Sequence, residues 1–292
     1  MWSCLRSILF PAVLAAVVLC GCRQGAGADE EPDVDMSGDP FYAEKDPVLP
    51  EETLRSVLLA KNPKWNGACM TRDCPLGPVL VISNGRGLKD FSPLRNFKLA
   101  VLAVGNFQMG SLECLNGLKL KELDLFGAGK LKDISAVKEM PLEEMFIGAK
   151  NLRDLSALQK LPLRKLILEC PVVTDFSPLR KLTRLEILSV SGHFDDAEFI
   201  GPLKKLVALQ LRSDRLTRID AVGKKRSLQG LWLDCPNLRE TAAVTRLPRL
   251  RFLNIRCAEP PKKDAFPRLK PFGRNNRIWI APGAELSPGE KK

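Results

Sequence analysis

Residues 163–190 read LRKLILECPVVTDFSPLRKLTRLEILSV, one full turn of a repeating phrase and the start of the next. Leu163, Leu166 and Leu168 return 22 residues later as Leu185, Leu188 and Val190. Working outward from this stretch, apolar residues at places 1, 4 and 6 recur nine times at intervals of 21 to 23 residues. The other copies are Leu76, Val79, Val81; Leu99, Leu102, Val104; Leu120, Leu123, Leu125; Leu142, Met145, Ile147; Leu206, Leu209, Leu211; Leu228, Leu231, Leu233; and Leu250, Leu253, Ile255. Alternation from place 4 to place 6 is that of a strand, so these two point one way while places 3, 5 and 7 point the other. One short strand cannot bury its apolar face alone, and stacked coils with parallel strands are the physical solution.

The remainder of the coil repeats as well. Val173, Asp175, Phe176, Ser177, Pro178 and Leu179 have close variants in Leu88, Asp90, Phe91, Ser92, Pro93, Leu94, in Leu131, Asp133, Ile134, Ser135, and in Leu152, Asp154, Leu155, Ser156, Leu158. A period of this length with this phrase is the leucine-rich-repeat signature. The Asp, Ile, Ser, Pro, Leu turn resembles that of the bacterial, internalin-like class, over about residues 76–257. The fold class expected is an α/β solenoid. It is a leucine-rich-repeat horseshoe of about nine coils, with short parallel strands on the concave face and turns or 3-10 segments on the convex side. The class usually carries an inward Asn at place 9. Here only Asn84 keeps it, and Ala128, Lys150, Pro171, His193, Asp214 and Pro236 stand there in other coils. The buried backbone groups such an Asn would serve need other partners.

The ends divide the chain further. Arg6 precedes an apolar run from Ile8 to Cys20, shorter than a membrane span and of the length of a secretory signal. Leu19, Cys20, Gly21, Cys22 resembles a bacterial lipobox, which implies cleavage at residue 22 and lipidation of Cys22. A plain signal peptide or an uncleaved anchor is the alternative. Arg23 after that Cys resembles the sorting pattern of the outer membrane. Residues 23–49 hold eight of the acidic residues and two of the basic ones and little to bury, the composition of a flexible tether. Residues 50–75 are the expected N-terminal cap, with PEETLRSVLLAK at 50–61 reading as an amphipathic helix stopped at Asn62 and Pro63. The repeats follow at 76–257. A C-terminal cap and tail occupy 258–292, in which Ile278, Trp279 and Ile280 are expected to add a last strand.

From residue 50 onward 42 Lys and Arg face 26 Asp and Glu, because the first 49 residues take three of 45 basic and eight of 34 acidic residues. Much of the excess lies at the turn into each strand: Lys138, Lys160, Arg180, Lys181, Lys204, Lys205, Lys224, Lys225, Arg226 and Arg246. Stacked coils align these about 4.8 Å apart, a stripe that attracts anionic glycan, lipid headgroups or an acidic protein. Nucleic acid is not an expected partner for an exported chain.

Chemistry-bearing constellations are scarce. His193 is the only His; at an inward place it reads as a buried, hydrogen-bonded side chain. No triad, phosphate loop or HExxH pattern stands out, so no catalytic residue, metal or cofactor is expected. Cys69 and Cys74 fall in the cap, where a bridge would pin the first coil. Cys235 and Cys257 share place 8 of adjacent coils, within disulfide reach.

The informative positions are the outward strand places. Phe126, Phe146 and Ile167 form one apolar group there; Trp232 and Phe252, with Arg212 and Arg256, form another. Aromatic and Arg side chains are the usual anchors of interfaces. The expectation is a lipid-anchored protein of the cell envelope, in the outer membrane, that binds a protein partner through the concave strand face without catalysis. The alternative is an envelope organiser that holds anionic glycan or headgroups through the basic stripe.

Overall fold

The computed structural model describes residues 50–262, Ala265 and Phe266, and strand 277–281. The signal segment, Cys22 and the acidic tether lie outside the described residues. The chain divides between Leu182 and Thr183 into two compact units.

The first unit opens with helix α1 (Glu51–Lys61), which buries Leu54 and Leu58 completely. Glu51 and Glu52 stand in its first turn and Lys61 in its last, each placed well for the helix dipole. Asn62, read from sequence as a helix stop, also fastens the helix to the first coil. Its side chain donates to the Leu58 and Asp90 carbonyls at 2.9 and 2.7 Å and accepts from the Lys89 and Asp90 amides. Buried Trp65 adds a bond from its indole N–H to the Asn84 carbonyl.

Strands β1 (Cys69–Cys74), β2 (Gly77–Ile82), β3 (Val101–Gly105), β4 (Glu122–Phe126), β5 (Glu144–Gly148) and β6 (Lys165–Glu169) follow in chain order. β1 pairs with β2 antiparallel, and β2 through β6 are parallel. The cap is therefore a helix plus a hairpin, and the hairpin corrects the first repeat. Its turn runs through Pro75 and Leu76, and Gly77 takes a φ of +126° at the turn exit. Leu76 is thus a turn residue. Leu80 and Ile82, both fully buried, are the inward pair, and Val79 and Val81 face outward. A one-residue slip exchanges the two faces of a strand, and the turn imposes that slip here. Cys69 and Cys74 end the same strand, an odd number of residues apart and so on opposite faces. Five residues of strand span about 16 Å, far beyond disulfide reach, so the bridge expected between them cannot form in this fold.

The second unit carries β7 (Ile187–Ser191), β8 (Ala208–Arg212), β9 (Gly230–Cys235), β10 (Phe252–Cys257) and β11 (Arg277–Ala281), with parallel pairing in chain order. β11 takes the register the sequence expected, Leu253 opposite Ile278 and Ile255 opposite Ile280.

Opposite the strands each coil turns through a short 3-10 segment, such as Ser92–Asn96, Ser135–Glu139 and Ser177–Lys181. The recurring Asp starts it: carboxylates of Asp90, Asp133, Asp154 and Asp175 accept from the amide two residues on, at 2.7 to 2.8 Å. These bonds hold the Asp90 and Asp175 carboxyls below the usual range. Between strand and turn each unit buries an apolar core, with Leu123 and Leu166 fully buried in the first and Leu188, Leu209 and Leu231 in the second. Each such side chain contributes about 1.5–3 kcal/mol.

The inward place after the strand is 8 in most coils, where 9 was expected. Cys170, Cys235 and Cys257 are fully buried there, as is Ala149, and Ser213 is nearly so. The Cys170 thiol lies 3.8 Å from the Ile147 carbonyl and the Cys235 thiol 3.5 Å from that of Leu211, in each case place 6 of the preceding coil. The Ser213 hydroxyl donates to Phe194 O and accepts from Phe194 N. Small thiol and hydroxyl groups thus serve backbone that an Asn ladder would otherwise serve. Cys235 and Cys257 are register partners on β9 and β10, with free thiols whose pKa burial pushes up to about 12 and about 11. His193, at place 9, is exposed rather than buried: its Nδ1 lies 2.6 Å from Asp214 Oδ1 in the next coil, both side chains in solvent.

Candidate functional site

Both aromatic groups lie on the outward strand face, and the two units present them differently. In the first unit Phe126 stands at place 7 of β4 and Phe146 at place 5 of β5. Their rings stack at 4.4 Å between centroids. Phe146 and Ile167, expected as exposed anchors, are only 6% exposed. Neighbours on the same face cover them, and Phe126 is the half-buried ring that solvent reaches.

Beside the stack is a group of charges. Glu122 and Glu144 are direct cross-strand partners at place 3, with Lys165 next to Glu144 and Asp124 opposite Phe146. Lys165 Nζ lies 2.9 Å from Glu144 Oε2, half-buried on both sides. Like charges directly opposite are unfavourable, and here three carboxylates share one ammonium. Burial, then Asp124 and Glu144, push the Glu122 carboxyl up to about 8. Burial also pushes Asp124 up to about 6, against the pull of Lys165. Burial works against the Lys165 charge, yet Glu144, Glu122 and Asp124 outweigh it and raise its pKa. The signal available in sequence was the column of Glu122, Glu144 and Lys165 at one place of three successive coils.

Because folding raises the Glu122 pKa, the folded state holds a proton that the unfolded state has lost. Stability from this group is present at acid pH and lost as pH rises from the ordinary glutamate value through about 8. Glu122→Gln is expected to flatten that slope and to raise stability at pH 8 by on the order of 1 kcal/mol. Urea titrations at pH 5 and pH 8 measure it. Parallel pH slopes for both proteins would show that Glu122 titrates as an ordinary surface group.

In the second unit Trp232 occupies place 5 of β9 between Gln210 on β8 and Asn254 on β10. Its ring leans over Gly230, where a β-carbon would meet Trp232 ring atoms at 2.5 and 2.6 Å. Glycine at place 3 therefore makes room for the indole to lie against the sheet. Phe252, half-buried, is Gly230's partner on β10. Arg212, Asp234 and Arg256 align at place 7, where Asp234 takes Arg256 at 2.6 Å and Arg212 at 3.3 Å. The two arginines expected as partner contacts are thus tied to one carboxylate.

The basic stripe also changes in detail. Lys138, Lys160, Lys181, Lys204, Lys205, Lys224 and Arg226 are exposed, but Lys225 is 2% exposed. Its ammonium donates to the Ile200, Gly201 and Leu203 carbonyls at 2.5, 2.8 and 3.2 Å, closing the 3-10 turn of the preceding coil. Burial, with Lys224 nearby, brings its pKa down to about 8.

Short parallel strands alternating with 3-10 turns match solved structures of known class. An internalin (InlF) from Listeria monocytogenes aligns over 61% of this chain at 22% identity and a TM-score of 0.53. Internalin C2 from the same organism aligns over 68% at 21% identity and a TM-score of 0.53. The fold is that of an internalin-like leucine-rich-repeat protein. This chain spans 54% of the first structure's length and 89% of the second's, and at these identities the likeness is one of fold. No family model matches the sequence, and no curated protein matches it. Among the described residues no helix is long and apolar enough to cross a membrane, and no His, Cys, Asp and Glu group could hold a metal.

Proposed function

We propose that this chain is an exported, non-catalytic envelope protein, lipid-anchored through Cys22, that captures a protein partner on the outward strand face of its repeats. The observation that carries this reading is the Phe126 and Phe146 stack on the strand face, bordered on one side by Glu122, Asp124, Glu144 and Lys165. Folding has already ordered these side chains, so a partner need not supply that entropy. Aromatic side chains are enriched at the cores of interfaces, within a polar rim. In the second unit Trp232, Phe252, Arg212 and Arg256 are further contacts on its own outward strand face, and in the first Phe146 and Ile167 support Phe126. The acidic tether at 23–49 sets the repeats off from the lipid. Lipidation is tested by mass: the full chain expressed in a bacterial host carries a diacylglyceryl group at Cys22, and Cys22→Ala does not. Phe126→Ala is expected to lower partner capture from envelope extract on the order of tenfold while the melting midpoint holds; unchanged capture removes the anchor from the reading.

A further inference from the structure

The strand face of the second unit carries a row of uncharged polar and aromatic side chains, Gln210, Trp232 and Asn254. Among the described residues, the Trp232 indole N–H and the side-chain amides of Gln210 and Asn254 have no protein hydrogen-bond partner. Trp232 is the register partner of both, so two amides flank one indole, each about 4.8 Å away along the sheet. Ser189 continues the row beside Gln210. On one side of this row lie Ala208, Gly230 and Phe252, without charge. On the other, Asp234 takes both Arg212 and Arg256, which leaves one positive charge at that edge of the row.

Which ligand matches these groups follows from their chemistry. An indole held against the sheet offers a broad apolar face, and Tyr and Trp combine such a face with a polar handle. Side-chain amides each offer two donors and an acceptor, which fit adjacent hydroxyls or an acetamido group. Unpaired amides and an apolar plate in alternation suit a ligand whose own surface alternates between C–H faces and hydroxyl edges. A pyranose ring is about as long as one inter-strand spacing, so a linear chain running across the strands would meet Gln210, Trp232 and Asn254 with successive sugars.

We propose that the strip Gln210, Trp232, Asn254 binds a neutral β-linked glycan, with a sugar face on the indole and its hydroxyl or acetamido groups on the two amides. Gly230 acts here as a positioning residue, since its missing side chain is what lets the ring lie against the sheet. The proposal goes beyond protein capture at Phe126 and rests only on the outward strand face being open to ligand.

The test uses the full chain in detergent with two probes, cellotetraose and tetra-N-acetylchitotetraose, read by calorimetry and by tryptophan fluorescence. Either probe is expected to bind with an affinity insensitive to salt. Trp232→Ala is expected to weaken binding on the order of tenfold. Gly230→Ala, which keeps the indole and displaces it, is expected to weaken binding comparably with an unchanged melting midpoint. Phe126→Ala should leave tetrasaccharide binding intact while lowering protein capture, which separates this proposal from the one before it. Absence of binding by both probes overturns the proposal, and so does binding that Trp232→Ala and Gly230→Ala leave unchanged. Loss of protein capture in Trp232→Ala without any tetrasaccharide binding would assign the strip to a polypeptide and also overturn it.

Discussion

Leu166→Ala lowers the unfolding free energy by about 2–5 kcal/mol, the range for a fully buried Leu whose surroundings relax only in part. Leu166 is at place 4 of β6, with no exposed surface, and its strand partner Met145 is likewise buried. Each coil of a solenoid packs on its neighbours, so the cavity also loosens the β5 coil. Ile167→Ala, one residue along on the outward face, provides the comparison. Its side chain is 6% exposed and covered from one side of the sheet only, and its truncation is expected to cost less. Denaturant titration of the two variants measures the difference, and equal losses would contradict the inward and outward assignment of the strand.

Lys225→Ala costs about 2–4 kcal/mol, because hydrogen bonds to a charged group are stronger than neutral ones and three carbonyls lose the ammonium together, of which Ile200 alone keeps a backbone donor, the Leu203 amide. Those carbonyls belong to Ile200, Gly201 and Leu203, at the end of the 3-10 turn Glu198–Ile200 and just after it. Lys225→Met keeps most of the packing and loses the donor, so it isolates the hydrogen-bond contribution. Lys224→Ala, on an exposed neighbour, is expected to change stability by less than about 0.5 kcal/mol. A Lys225→Ala loss as small as that of Lys224→Ala would contradict the capping role.

Lys224, Lys225 and Arg226 show where sequence reading stops. All three belong to one basic run, and composition gives each the same weight; only the coil's backbone decides that the middle one turns inward to the carbonyls. The repeat itself was legible because Leu at places 1, 4 and 6 reports burial directly, and the aspartates of the turn report an amide two residues on. The first coil was misread by one residue because Leu76, apolar and correctly spaced, belongs to a hairpin turn that only the antiparallel partner β1 reveals. The inward place was read as 9 from the Asn habit of the resembling class, whereas buried Cys170, Ser213, Cys235 and Cys257 mark place 8. Among the outward residues, alternation found the correct face for Phe146 and Ile167 without finding their exposure. Exposure depends on neighbours on the adjacent strands, 21 or 22 residues away in sequence. Glu122, Asp124 and Glu144 went unnoticed for a related reason: each is an unremarkable acidic residue on its own strand, and their mutual repulsion exists only after β4 and β5 pair.

Capture of the partner from envelope extract at low and high salt, by the full chain, by Phe126→Ala/Trp232→Ala, and by a variant with Lys204, Lys205 and Lys224 changed to Ala, tests the strand-face reading most directly. Aromatic anchoring predicts that capture survives high salt and the lysine changes, and falls on the order of a hundredfold in the double aromatic variant. Capture that collapses with salt or with the lysine changes, and persists without Phe126 and Trp232, would contradict it.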